Sequence, residues 1–305
     1  MGVAVRQASR IILLHLLLLV SSHCHGCWAR LLSENRGEKF MDHRLSGFSK
    51  IDDDDGHVHA HANGMSHMDH LLMDPRSMIF FTLDDLKPGK TMPIYFPKRE
   101  PSSSPHFLPR EDTESIPFSS RDLPHLLDLF SFSSDSPQAK AMEDTLKHCE
   151  TKPIEGETKS CATSLESMLD FVHGILGGKS PRFRAISTSH LIESSTRFQN
   201  YTILEAPRGV PASKMVACHT LPYPYAVFYC HSQESENKVF EVVLGGENGD
   251  RVKAVAVCHL DTSQWNRDHP SFRVLGVEPG TVPVCHFFPA DNLVWVPIAP
   301  TPSMM

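Results

Sequence analysis

Residues 215–221, MVACHTL, and 227–233, VFYCHSQ, each carry a Cys-His dipeptide inside an apolar, β-branched and aromatic run. The dipeptide returns in 252–259, VKAVAVCH, and in 282–288, VPVCHFF. Ten residues separate the first two pairs, 26 the next and 25 the last. Each pair sits at or near the end of a predicted strand, where neighbouring residues point to opposite faces. If Cys218, Cys230, Cys258 and Cys285 face one side, then His219, His231, His259 and His286 face the other. Cysteines on adjacent strands are placed to pair as disulfides in the interior. The histidines are then gathered on one opposite face, a nitrogen-ligand site suited to copper or zinc, with copper the expected metal. Two rival readings stand beside this one. In the first, the cysteines form disulfides and the histidines only pack; in the second, zinc is held by mixed Cys and His ligands.

Around these pairs the pattern is one of short strands. Phe183–Ile186, Tyr201–Leu204, Met215–Cys218 and Val227–Cys230 are candidates. Val239–Leu244 and Val252–Val257 flank Gly245-Gly246-Glu247-Asn248-Gly249-Asp250, a hairpin signal. Val282–Phe288 and Leu293–Val296 flank Pro289-Ala290-Asp291-Asn292, which reads as a second hairpin. Upstream, a strand is expected at Ile79–Phe81, a turn at Lys87-Pro88-Gly89-Lys90 and a strand at Met92–Phe96. Residues 97–120 are rich in Pro and Ser and read as a long loop. A helix is predicted from Ser136, with Pro137 in its first position and Ala141, Met142, Thr145 and Leu146 on one side. A second helix carries Leu165, Met168, Leu169, Val172, Ile175 and Leu176 at helical spacing, with Thr163 and Glu166 as its capping box and Gly177-Gly178 as its end. Helices before antiparallel strands predict an α+β domain, β-rich toward the C-terminus and stapled by disulfides.

The first 29 residues have the order of a signal peptide: Arg6 and Arg10, then the apolar run Ile11–Val20, then small residues. The run is about half of the ~20 residues that a membrane-spanning helix needs. A secreted product without a membrane anchor is expected, its mature chain starting between Cys27 and Arg30. In an oxidising compartment the six cysteines of the chain body favour disulfides. Cys149 and Cys161, 12 apart, are expected to pair with each other, and the remaining four among themselves. Residues 30–77, with Asp52–Asp55 and histidines at 57, 59, 61, 67 and 70, show no period and read as a disordered spacer; 298–305 reads as a tail. With 29 basic against 36 acidic residues and a net charge of -7, there is no basic footprint for nucleic acid.

The Cys-His pairs and their order of gaps resemble the BURP-domain family of plants. Further residues carry the resemblance: Phe80-Phe81, Cys149-Glu150, Gly156-Glu157-Thr158-Lys159-Ser160-Cys161, Thr163–Phe171, and Asp261-Thr262-Ser263 with Trp265. It spans residues 78–297. It implies a protein of the cell wall or apoplast, or alternatively of the seed storage vacuole, acting in development or stress response. Such a protein binds wall polysaccharide or a wall or vacuolar protein and is not itself an enzyme. The resemblance carries two alternatives. One is a copper-dependent peptide cyclase crosslinking Trp or Tyr side chains of a peptide, with the four histidines as ligands. The other is a non-catalytic subunit of a polygalacturonase. The short spacer, without Phe-x-x-Tyr or Thr-x-Val repeats, is similar to that of embryo- and seed-type members. Residues 30–77 hold no Trp or Tyr, which counts against self-cyclisation.

Asn200-Tyr201-Thr202 is a glycosylation sequon, so Asn200 is a candidate glycan site. Gly174–Ser180 resembles a phosphate loop, but it is one residue short and follows a helix, so a helix-ending Gly pair is the better reading.

Overall fold

The computed structural model describes residues 80–96, 104–177, 182–192 and 198–298. The signal segment, the spacer and the tail beyond Ile298 lie outside the described residues. Among the described residues the domain is α+β, with two antiparallel sheets and five short or medium helices. Sheet A has eight strands: β1 (Phe80–Thr82), β2 (Thr91–Tyr95), β5 (Ser189–Ile192), β6 (Phe198–Ile203), β7 (Arg208–Val210), β10 (Asn237–Gly246), β11 (Arg251–His259) and β12 (Val284–Phe288). Its main path runs β1-β12-β11-β10-β6-β2. Sheet B has five strands in the order β3 (Glu157–Ala162), β9 (Val227–Gln233), β8 (Val216–Leu221), β13 (Leu293–Pro297) and β4 (Phe183–Ile186).

Strand alternation sorts the apolar residues into distinct cores. One face of sheet A collects Val252, Ala254, Ala256 and Cys258 from β11, Cys285 and Phe287 from β12, and Phe81 from β1. Met92 and Ile94 of β2 and Tyr201 of β6 join the same core. The sheet therefore curls until both ends of its strand path share one interior, where the Phe96 ring stands 5.2 Å from Tyr201 and 6.3 Å from Phe287. The other face presents Val255, Val257 and Phe288 to Ala217, Val294 and Val296 of sheet B and to Met215 just before β8. This layer is the seam between the sheets.

Five helices, α1 (Arg110–Glu114), α2 (Leu123–Phe130), α3 (Pro137–Glu150), α4 (Leu165–Leu176) and α5 (Pro270–Leu275), cover the rest. Ser136 caps α3 by accepting from the Ala139 N–H at 3.1 Å, and Pro137 occupies the first turn, where its missing N–H costs nothing. Met142 and Leu146 are fully buried, and with α2 they cover Tyr223, Tyr225 and Tyr229. Helix α4 lays Met168 and Val172 on the outer face of sheet B, over Val216, Cys218, Phe228 and Cys230.

Several expectations need correction. The capping box of α4 uses Ser164 and Ser167, one residue beyond the expected Thr163 and Glu166; Ser164 accepts from the Ser167 N–H and is fully buried. The 97–120 loop contains the single-turn helix α1. As expected, α4 ends at Leu176 with Gly177 as its C-cap, and Gly174 lies inside the helix. The second hairpin does not form. A turn closes, with the Asn292 N–H bonded to the Pro289 carbonyl, but β12 pairs in sheet A and β13 in sheet B. Phe287 belongs to the interior of sheet A, while Val294 and Val296 of β13 are buried in the seam against Val255, Val257 and Phe288, so the chain crosses the seam at this turn. The first hairpin is present as β10–β11, in register from Asn237↔His259 to Gly245↔Arg251.

Candidate metal centre

The structure pairs Cys149 with Cys161, Cys218 with Cys230, and Cys258 with Cys285. The first staple ties the end of α3 to β3. The other two join residues directly opposite on neighbouring strands, with Cα atoms 4.0 Å apart in both cases. All four of those cysteines are fully buried on the faces away from the seam. The thiolates that a mixed Cys/His zinc site would need are thereby consumed.

One residue further along each strand, the side chain turns to the other face. His219 lies diagonally from His231 across β8–β9, and His259 lies diagonally from His286 across β11–β12. Their Nε2 atoms meet at 3.3 Å in the first pair and 3.4 Å in the second. The expectation of a single face is corrected. The four histidines come from two facing sheets, as two pairs, with Phe288 between them. Its ring is 4.9 Å from His219 and 5.0 Å from His286. Among the described residues, no group of three or more His, Cys, Asp or Glu side chains is gathered tightly enough to hold one ion.

The surroundings of the pairs were not legible in the dipeptides. His231 Nδ1 lies 3.2 Å from the Glu157 carboxylate, which also accepts the Tyr229 hydroxyl at 2.7 Å. Burial is the largest influence on Glu157 and acts upward. The hydrogen bond and charge of His231, the Tyr229 hydroxyl and the Ile154 N–H together outweigh it and bring the carboxyl down to about 2. His259 Nδ1 donates to Asn237 Oδ1 at 2.6 Å, with Gln233 Oε1 at 3.1 Å. His219 Nδ1 meets the Asn292 amide nitrogen at 3.0 Å. Trp265 closes the sheet A pair, 4.9 Å from the His259 ring. Burial first, and then the charge that neighbouring histidines would carry, holds both His219 and His259 well below the usual imidazole range. Both are therefore neutral at physiological pH, the form that binds metal.

Each pair offers two imidazole nitrogens, a partial donor set that would need further ligands to complete the shell of an ion. Two nitrogens bound to one tetrahedral ion at ~2.0 Å stand ~3.3 Å apart, the separation found in both pairs. Each pair also contains one imidazole, His231 or His259, whose second nitrogen faces an oxygen acceptor, the usual outer support of a ligating histidine.

A family model for the BURP domain matches residues 79–297, the span that holds both sheets and all three disulfides. The chain belongs to the BURP-domain family. It is 47% identical over 228 residues to the BURP domain-containing protein BNM2A of Brassica napus, covering 73% of this chain and 80% of that one. It is 46% identical over 228 residues to the BURP domain protein USPL1 of Arabidopsis thaliana, covering 73% and 81%. The BURP domain protein RD22 of Arabidopsis thaliana is 44% identical over 224 residues, covering 73% and 56%. The BURP repeat of Cys-His dipeptides thus has a geometric meaning in this chain: the sulfur locks a strand pair and the next side chain enters the seam.

Asn200, the sequon residue, lies within β6, and its amide nitrogen donates to Glu247 at 2.9 Å. Among the described residues, no helix is long and apolar enough to cross a membrane. The clustered histidines at 57–70 lie outside the described residues.

Proposed function

We propose that the protein is a secreted plant BURP protein of the cell wall or apoplast, or of the storage vacuole, acting in development or stress response. In this reading it works through a buried copper centre and by binding rather than by catalysis. His219 with His231, and His259 with His286, are the ligands. Bound copper would supply a redox-active Lewis acid; the chain's own part is to orient the imidazoles and to exclude water. The observation that carries the reading is the Nε2–Nε2 separation of 3.3 and 3.4 Å in two independent pairs. Burial supports holding over catalysis. His259 and His286 are 5% and 9% exposed, and Trp265 and Phe288 pack against them, which favours a sequestered ion over one offered to an indole or phenol of another chain.

Metal analysis of protein secreted from plant cells tests the reading. Copper is expected, and His259→Ala should lower it while leaving all three disulfides closed. Native protein that carries no copper and takes up none on addition of Cu(II) would refute the centre. Incubation of the copper-loaded protein with a Trp- and Tyr-containing peptide should leave its mass unchanged. Loss of two hydrogens would overturn the binding-only reading in favour of a peptide cyclase.

A further inference from the structure

Asn292 is 2% exposed and stands at the turn where the chain crosses from β12 to β13. Its Oδ1 accepts from the Thr220 main-chain N–H at 3.1 Å. A main-chain N–H can only donate, so the orientation of the carboxamide is decided, and Nδ2 is the atom that faces His219 Nδ1. An amide NH2 also only donates. His219 Nδ1 is therefore an acceptor without hydrogen, and neutral His219 carries its proton on Nε2, the atom directed at His231. At His259 the same reasoning gives the opposite tautomer. Asn237 Nδ2 donates to the Ser235 carbonyl at 2.7 Å, which turns Oδ1 toward His259 Nδ1 and places the hydrogen there. Nε2 of His259 then carries the lone pair, aimed at His286 Nε2.

A ligating histidine needs that lone pair on the coordinating nitrogen and an N–H on the other, given to an acceptor. His259 meets both conditions and His219 meets neither. We propose that Asn292 is a latch on the sheet B half of the centre. It holds His219 in the tautomer that cannot ligate through Nε2, and metal enters that pair only when the carboxamide turns over and releases the Thr220 N–H. The inference rests on the reading that the Nε2 atoms hold the metal, and it makes Asn292 a positioning residue, not a ligand.

Two measurements test it separately from that reading. In metal-free protein, imidazole 1H–15N correlation spectra should show the proton of His219 on Nε2 and that of His259 on Nδ1; His219 protonated on Nδ1 would overturn the proposal. Zn(II) titration of wild type and Asn292→Asp, followed at the His219 and His259 signals, gives the second. A carboxylate accepts from both Thr220 N–H and a His219 Nδ1–H. The response of His219 should therefore shift to lower zinc by about 10-fold or more, the usual size of an outer-partner effect. An unchanged or weakened His219 response beside a normal His259 response would refute the latch while leaving the metal centre standing. No response at either histidine to Zn(II) or Cu(II) would remove the centre and the latch together. Should Asn292→Asp fail to fold, the Thr220 amide resonance of wild type decides: it should move on metal binding as its hydrogen bond is lost, and a fixed resonance overturns the proposal.

Discussion

Replacing Cys258 and Cys285 together by alanine should lower stability by about 3.5 kcal/mol. The bridge closes a loop with a sequence separation of 27. The loop-closure entropy that this removes from the unfolded chain corresponds to ~3.5 kcal/mol at 25 °C. Both sulfurs sit at fully buried positions, so the small voids left by alanine act in the same direction. The other two bridges, each with a separation of 12, should contribute ~2.8 kcal/mol apiece. Together the three reach ~9 kcal/mol, within the ~5–15 kcal/mol that a domain of this kind has in total. For a domain near the middle of that range, loss of one bridge is tolerated at 25 °C and loss of all three removes most of the stability. Urea denaturation of wild type and of the double-alanine variant, with dithiothreitol added to a second wild-type sample, measures both statements. A loss below about 1 kcal/mol for the variant, or a fully reduced protein that keeps its near-ultraviolet circular dichroism, would refute the reasoning.

The metal-free protein should lose stability on acidification in two windows. Below about pH 6.5 the unfolded chain takes up protons that buried His219 and His259 resist, so stability falls as pH falls from there, and His259→Gln should flatten that slope. Glu157, with a folded value of about 2 against an ordinary 4.5, stabilises above about pH 4.5 and loses this contribution, on the order of 3 kcal/mol, as pH falls toward 2. Glu157→Gln should abolish the second window, and an unchanged urea midpoint profile there would contradict the assignment. Thr188→Val should cost about 2 kcal/mol or more, because the hydroxyl donates to the Phe288 carbonyl and accepts from the Val255 N–H at a site 2% exposed; a melting temperature equal to wild type would show that the bridge is dispensable.

What the sequence reveals of this molecule divides along the range of the interactions involved. The α3 and α4 helices and the β10–β11 hairpin are legible because their signals are local: Ser136 before Pro137, apolar residues at helical spacing, a Gly-rich turn between Val-rich runs. The opposite facing of each Cys and its His is legible for the same reason, as pleat alternation needs only adjacent residues. Partner choice is not local. Pro289–Asn292 has every mark of a hairpin turn, yet β13 takes its ladder partners from β8 and β4 and lays Val294 and Val296 across the seam from β12. Strands β3, β5 and β7 are short or half-exposed, and they are strands because β9, β11 and β10 offer them ladder partners. Glu157, Asn237 and Asn292 carry no motif of their own; tertiary placement alone brings them to the imidazoles.

The order in which the chain visits its two sheets has a consequence for folding speed. It lays down β1 and β2 in sheet A, β3 and β4 in B, β5 to β7 in A, β8 and β9 in B, β10 to β12 in A, and β13 in B. Every cut in this sequence severs one sheet or both, so neither sheet is a contiguous fragment that can assemble first and wait for the other. Outer strands recruit partners far along the chain: β1 closes on β12, and β3 on β9. Such high contact order puts acquisition of the native state in the slow regime of milliseconds to seconds, and it makes loss of that state a single event, in which limited proteolysis should return intact domain or small peptides and no stable half.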